Sequence, residues 1–218
     1  MLNDPIPQNG RSFKTRTALL SAGLKLFAER PIDAVAIDDI VAAAGVAKGS
    51  FFNHFTDKRI FSEAVAADVR RDIESRVAAA NANVDCPLER LSNGMVVAVN
   101  FALTQRDCAV IMLRAALSVT TRNHPLNEGL LGDIEAAIMA GLIPESTRDA
   151  GLLFWLGNCQ MLMMNVIERR PSRVEAADRT YDIMVMALIG LGVDGQVARR
   201  IAAVCRTRLI EWEAAKTA

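Results

Sequence analysis

Aromatic residues make up only 5% of this chain of 218 residues, which has one tyrosine and lacks runs of alternating polar and apolar residues. These shortages disfavour β-strands, because strands are enriched in aromatic and β-branched residues and alternate with a period of two. Apolar residues nevertheless reach 51%, which is enough for a substantial core built from Ala, Leu, Met and Val. The composition therefore predicts an all-α protein.

Cysteine and histidine are also scarce. The two histidines, His54 and His124, are far apart, and no cluster has the spacing of metal ligands. No G-x-S-x-G, P-loop or G-x-G-x-x-G motif is present. We therefore expect no enzymatic activity, no cofactor and no metal. We expect reduced thiols in a helical core at all four cysteines, which form no C-x-x-C pair: Cys86, Cys108, Cys159 and Cys205.

Long hydrophobic segments and a signal peptide are not evident either. The uncharged run 151–167 is shorter than the roughly 20 residues that span a bilayer and includes Asn158, Gln160 and Asn165. It fits a helix buried between other helices better than a membrane span. The first ten residues lack the basic and apolar regions of a signal peptide. We expect a cytoplasmic protein without a membrane partner.

The net charge is zero, so total charge identifies no partner. Its distribution is uneven: residues 10–60 hold eight basic and five acidic residues, a net of +3. The remainder, from residue 61 onward, holds 17 basic and 19 acidic residues, a net of −2. The excess of positive charge near the N-terminus hints at a polyanionic partner.

Proline, glycine and asparagine divide the chain into helical segments. Residues 1–10 predict a flexible arm, and Gly45 is suited to a positive φ at the end of a short helix. Thr56 is the expected N-cap of the fourth helix. The predicted helices span about 12–30, 38–44, 48–55, 57–81, 87–104, 106–120, 125–141, 146–169, 173–191 and 194–215.

Residues 37–55, IDDIVAAAGVAKGSFFNHF, have the outline of a helix-turn-helix: two short helices joined by a glycine-containing turn. Phe51 and Phe55 are four residues apart and therefore lie on one face, available to pack inward. The first turn of the second helix, Lys48-Gly49-Ser50, is small and polar. We interpret the aromatic side as an anchor and the polar end as a surface for DNA phosphates or base edges.

The longer run RTALLSAGLKLFAERPIDAVAIDDIVAAAGVAKGSFFNHFTDKRIF, residues 16–61, strongly resembles the DNA-binding domain of TetR-type transcriptional regulators. The resemblance implies a three-helix DNA-binding domain with a helix-turn-helix at 11–58 and a helical ligand-binding and dimerisation domain at 59–218. It also implies a homodimer that binds a palindromic operator in double-stranded DNA and releases it when a small effector molecule binds. The DNA-binding residues implied by position are Lys14, Lys48, Gly49, Ser50, Phe52, Asn53, His54 and Lys58.

At three positions a hydroxyl group that is usual in that family is missing, and at a fourth Val41 replaces a frequent alanine. Phe52 replaces a common tyrosine, Ala47 a common capping serine or threonine, and Ala36 a common threonine. Each of these three changes removes a hydroxyl group, and a missing cap alone costs about 1 kcal/mol. We therefore expect DNA affinity to depend more on main-chain amides and on four basic residues: Arg11, Lys14, Lys48 and Lys58.

The second domain carries no motif of its own. Its helices at 146–169 and 173–191 are too apolar to be covered on one side only, so we expect them to form a four-helix bundle with their two-fold mates. The helix at 194–215 is a candidate to cover the edge of that dimer interface. Candidate ligand contacts, with ordinary core packing as the alternative, are Phe101, Met112, Leu117, Phe154, Trp155 and Met161.

The sequence thus predicts a ligand-responsive dimeric regulator of transcription. A repressor is preferred, although the sequence does not distinguish a repressor from an activator. The alternatives are a helical small-molecule carrier and a protein-binding adaptor, each retaining a helix-turn-helix as scaffold. Binding to DNA that weakens steeply with salt would distinguish the regulator from both.

Overall fold

The structure, a computed structural model, describes residues 8–115 and 127–212, and the regular elements within these ranges are all helical. The all-α prediction is therefore confirmed. The helices are α1 (Gln8–Glu29), α2 (Ile37–Ala44), α3 (Lys48–Phe52), α4 (Lys58–Asn81), α5 (Pro87–Thr104), α6 (Arg106–Ala115), α7 (Glu128–Met139), α8 (Gly151–Arg169), α9 (Arg173–Gly190) and α10 (Gly195–Glu211). Short 3₁₀ turns at Ile32–Ala34 and Glu145–Thr147 precede α2 and α8.

Most predicted helix boundaries lie within a few residues of the observed ones, and the exceptions have local causes. The prediction that α8 begins at 146 is wrong, because the Thr147 hydroxyl donates to the Pro144 carbonyl at 2.6 Å and closes a 3₁₀ turn instead. The helix predicted at 48–55 ends at Phe52. Most of the predicted arm, residues 116–120 of the sixth predicted helix and residues 213–215 of the last lie outside the described residues.

The chain divides into two compact units, Met1–Val69 and Arg70–Ala218, and the division falls inside α4. The core of the first unit is a cluster of phenylalanines. The centre of the Phe61 ring lies 5.8 Å from that of Phe27 on α1, 5.2 Å from that of Phe51 on α3 and 4.9 Å from that of Phe55. A single side chain at the start of α4 therefore contacts α1, α3 and the residue Phe55 that follows α3.

The first turn of α4 corrects the predicted cap. The Asp57 carboxylate accepts from the Ile60 backbone N–H at 2.8 Å, so Asp57 and not Thr56 is the N-cap. Aspartate caps helices as well as threonine does, and the Thr56 hydroxyl instead donates to the Asp57 carboxylate at 3.4 Å. The hydrogen bond from Ile60 is the main reason that the pKa of Asp57 is lowered.

In the second unit α5 is the central helix, with twelve of its 18 residues buried, and it packs against α6 to α10. Its buried amides have partners. Asn93 donates to the Asn81 side-chain oxygen at 2.9 Å and accepts from Arg208, while Asn100 accepts from Arg173 at 2.9 Å. These bonds fix α5 against α4, α9 and α10, because a buried amide left unsatisfied would be costly.

Among the described helices, none has by itself the length and apolarity of a membrane span. Helix α5 reaches that length and composition only when combined with α6, and the two are bent by 118° at the break between them.

A close approach of α1 to α4 gives a stability prediction. A Cβ atom at Gly23 would lie 2.4 Å from Cζ of Phe61 and 3.1 Å from a Val65 methyl carbon. We expect Gly23→Ala to lower the free energy of unfolding of the first unit by about 1–3 kcal/mol, because the Phe61 ring must shift within a filled core. Chemical denaturation of the full chain measures this change.

Gly49→Ala is the matched control, since no atom lies within 4 Å of a Cβ built at that position on the same unit. It is expected to be neutral or to stabilise the helix slightly. Equal stabilities for the two variants would contradict the packing account.

Candidate nucleic-acid interface

Backbone geometry alone forms the turn between α2 and α3. Gly45 adopts the predicted positive φ of 66°, and its N–H donates to the Ala42 carbonyl at 3.1 Å. The Val46 N–H donates to the Val41 carbonyl at 3.0 Å, so the end of α2 is closed without a side-chain cap. Ala47 precedes α3 in an extended conformation and, having no hydroxyl, provides no cap either.

Helix α3 has an anchored face and an open face. Phe51 is 0% exposed and packs against Phe55 and Phe61, as expected from its spacing. Phe52, the next residue, is 49% exposed, and its ring lies edge-on to that of Phe51 at 5.4 Å. Gly49 is exposed with open space around it. One side of this five-residue helix is therefore held by the core, and the other is accessible to a partner.

The lysine at the start of α3 is paired within the protein. The Lys48 ammonium lies 2.7 Å from the Asp38 carboxylate on the first turn of α2, and the two side chains are 57% and 69% exposed. The adjacent Asp39 accepts from the Ala36 N–H at 3.4 Å and pairs with Arg30 at 3.2 Å. The two aspartates therefore have different partners: Asp39 stabilises the start of α2, while Asp38 contacts the predicted groove residue.

Lys58 has a structural role that its sequence position does not indicate. Its ammonium donates to the Asp33 carbonyl at 3.0 Å and to the Val35 carbonyl at 3.1 Å. These bonds tie the first turn of α4 to the segment that leads into α2. An ammonium has three donors, so the predicted phosphate contact would use the third, and it stays a prediction.

The remaining predicted DNA contacts are distributed around the same unit. Asn53 is exposed at the C-cap of α3, Ser50 and His54 are half-buried, and Lys14 is exposed on α1. The Arg11 side chain lies outside the described part of the chain. No measured contact joins these residues to DNA, so their assignment also remains a prediction.

The predicted ligand residues fall into different environments. Phe101 and Trp155 are buried in the second unit, and Met112 is half-buried. Phe154 and Met161 are exposed on α8, and Leu117 lies outside the described residues. The spacing within α8 explains the contrast, because adjacent residues such as Phe154 and Trp155 are about 100° apart around a helix.

A polar cluster in the second unit was not anticipated from the sequence. The Arg70 guanidinium lies 2.8 Å from the Glu74 carboxylate and donates to the Asn127 side-chain oxygen at 3.2 Å. Burial raises the pKa of the Glu74 carboxyl, and the charge of Arg70 opposes that rise. The spacing of four between Arg70 and Glu74 was a visible signal, whereas the contact with Asn127 depends on the tertiary fold.

The fold and this geometry define the class: an all-α protein with an N-terminal helix-turn-helix unit and a larger helical unit. Residues 19–65 match the family model for bacterial regulatory proteins of the tetR family. This match confirms, for the N-terminal unit, the resemblance to the DNA-binding domain of TetR-type regulators.

Known proteins are similar to part of this sequence or to its fold. The chain is 30% identical over 95 residues to the HTH-type transcriptional repressor DhaR of Mycobacterium sp. (strain GP1), a match that covers 44% of this chain and 48% of DhaR. A TetR family transcription regulator from Shewanella sp. PV-4 has a TM-score of 0.72 at 16% identity, covering 81% of this chain and 97% of that one. RolR, solved with resorcinol, has a TM-score of 0.61 at 20% identity, covering 89% and 96%.

The bonds of Lys58 give a prediction that separates a structural role from DNA contact. Lys58→Met keeps most of the apolar stem but loses both hydrogen bonds to the Asp33 and Val35 carbonyls. We expect a loss of about 1–3 kcal/mol in the free energy of unfolding, measured by denaturant titration without DNA. Unchanged stability with weakened DNA binding would instead make Lys58 mainly a phosphate contact.

Proposed function

We propose that the protein is a cytoplasmic, ligand-responsive, dimeric regulator that binds DNA through α3, and that it acts as a repressor. The observation that carries this proposal is the two-faced structure of α3. Phe51 is fully buried in the phenylalanine cluster, while Lys48, Gly49 and Phe52 on the same short helix, and Asn53 at its C-cap, are exposed. A rigid anchor beneath a polar, accessible helix is what groove recognition requires.

The chemistry of the exposed face suits a duplex. Lys48 supplies a cation for a guanine edge or a phosphate, and Asn53 supplies the amide that pairs with adenine. Gly49 has no side chain, so the backbone of α3 can approach the DNA closely. The exposed ring of Phe52 is suited to apolar contact with a thymine methyl group or a sugar. Phosphate contacts from Lys14 and His54 would fix the orientation.

The dimer is proposed from an apolar surface on α8 and α9, which we term the bundle face. Its members on α8 are seven and three residues apart and so share one side of the helix. The Phe154 ring lies against Gly190, which connects the surfaces of the two helices. The exposed large apolar side chains of the bundle face are Phe154, Met161, Met164, Met186 and Ile189. A second copy of the chain would cover them in a four-helix bundle.

The effector is proposed to be a small organic molecule bound in the second unit. RolR, which shares the fold, has been solved with resorcinol, and another structure of the same fold is a gamma-butyrolactone receptor. Helix α4 belongs to both units, so a tilt of its C-terminal half would move its first turn, where Lys58 holds the segment before α2. A preference of the ligand for the non-binding shape, typically 1–3 kcal/mol of coupling, is sufficient.

DNA binding is tested with Lys48→Ala. We expect this variant to bind a duplex selected for wild-type binding with about 1 kcal/mol less free energy, or about fivefold more weakly, because it loses one groove contact. The slope of log affinity against log salt should change little, because the Asp38 carboxylate at 2.7 Å already neutralises the Lys48 ammonium. Fluorescence anisotropy at several salt concentrations measures both quantities.

Lys25→Ala is the matched control, because Lys25 is an exposed lysine on α1 outside the predicted contact set. It should leave the affinity and the slope essentially unchanged. If the wild-type chain binds no duplex at any salt concentration, the carrier or adaptor interpretation is preferred. If both variants bind like wild type, the placement of Lys48 in the groove is wrong.

The dimer is tested at Met161, which is 63% exposed on the bundle face. Met161→Glu is expected to convert the dimer to a monomer at micromolar concentration, because the two-fold seam would have to bury carboxylates without a partner. Sedimentation velocity measures the change. Met139→Glu is the control, since Met139 is 79% exposed at the end of α7 outside the bundle face. Dissociation by both variants, or by neither, would contradict this assignment.

A further inference from the structure

The ion pair between Asp38 and Lys48 is not explained by folding stability. Its atoms are 2.7 Å apart, but both side chains are more than half exposed, and solvated pairs of this kind contribute little to stability. Asp39, beside it, already serves the start of α2 through its bonds to Ala36 and Arg30. Asp38 instead places a negative charge against the cation that is predicted to meet DNA, which is itself a polyanion.

We propose that Asp38 is a specificity-determining positioning residue that acts through Lys48. It holds the Lys48 ammonium in place and disfavours contacts of that ammonium with phosphates. Non-specific binding to DNA is therefore weakened more than binding to the operator. This inference rests on the proposed DNA-binding function. It adds a residue that does not resemble a DNA contact, because a carboxylate repels the backbone it would face.

The physical reason is that phosphates and bases place different demands on the ammonium. A phosphate brings a full negative charge close to Asp38, so the contact requires either repulsion or loss of the ion pair. A guanine edge offers the neutral acceptors O6 and N7, and an ammonium with three N–H donors can bond to them while it remains on Asp38. The base contact therefore tolerates Asp38, and the phosphate contact does not.

The consequence is a penalty placed mainly on unspecific binding. Unspecific affinity comes almost entirely from cations that displace counterions from DNA. Lys48 paired with Asp38 is already neutralised and displaces fewer, so the pair lowers both the affinity for random duplex and its dependence on salt. The ratio of operator affinity to random-duplex affinity rises as a result.

The test compares Asp38→Asn with wild type on two duplexes of equal length and base composition, a selected operator and a scrambled sequence. We expect the variant to bind the scrambled duplex about three- to tenfold more tightly, with a log–log salt slope steeper by up to about 0.9. Operator affinity should rise by a smaller factor, so the specificity ratio falls. An unchanged ratio and slope, or weaker binding to the scrambled duplex, would overturn the proposal.

Three further variants test whether the effect belongs to the Asp38–Lys48 ion pair and to the charge of Asp38. Asp72→Asn also removes a carboxylate from an exposed pair, with Arg76 at 3.0 Å in the second unit, and should change neither quantity. Asp38→Glu keeps the charge and should keep most of the wild-type ratio. Asp38→Ser, a second neutral replacement, should behave like Asp38→Asn and guards against a folding defect peculiar to asparagine.

A double-mutant cycle decides whether Asp38 acts through Lys48. In the Lys48→Ala background, Asp38→Asn should lose most of its effect on the scrambled duplex. A full effect in that background would overturn the proposed route and leave only a general effect of charge. Failure of the wild-type chain to bind DNA defeats the proposed function itself. Wild-type binding that prefers the operator, with no response to Asp38→Asn, defeats this inference alone.

Discussion

The packing of Phe61 against the aromatic side chains around it is the contact on which the first unit depends. Its ring lies within 6 Å, centre to centre, of the rings of Phe27, Phe51 and Phe55, and its edge fills the space left open by Gly23. A five-residue helix such as α3 is not stable by itself, because helix nucleation is costly and a single turn returns few hydrogen bonds. Helix α3 therefore takes its position from this cluster, and its polar residues face outward because Phe51 is buried on the opposite side.

Much of this arrangement was predictable because it follows from local spacing. The separation of four between Phe51 and Phe55 gave the buried face, and the glycine at position 45 gave the left-handed turn. The pairing of Lys48 with Asp38, and of Lys58 with two carbonyls, was not predictable, because each depends on segments that only the folded chain brings together. The capping of α4 was misassigned for another reason: Thr56 and Asp57 are both common caps, and the preference for aspartate is too small to decide between two adjacent residues.

In the second unit, the helix boundaries were easier to predict from the sequence than the functional residues were. Its helix boundaries were predicted well from prolines and glycines, and α5 begins and ends at the predicted residues 87 and 104. Its functional residues could not be ranked, since apolar side chains look alike in sequence whether they form a core, a pocket or a dimer surface. The structure separates some of them: Trp155 packs inward, whereas Phe154 and Met161, seven residues apart, share the exposed side of α8.

The central claim is that two copies of α3, related by the two-fold axis of a dimer, read successive major grooves of one duplex. Selection of bound duplexes from a random pool by the chain of 218 residues tests this claim most directly. The account predicts enriched sequences with two inverted half-sites whose centres are separated by about 10–10.5 base pairs, or by a multiple of that distance. Enrichment of no sequence, or of sequences without an inverted repeat, would contradict it.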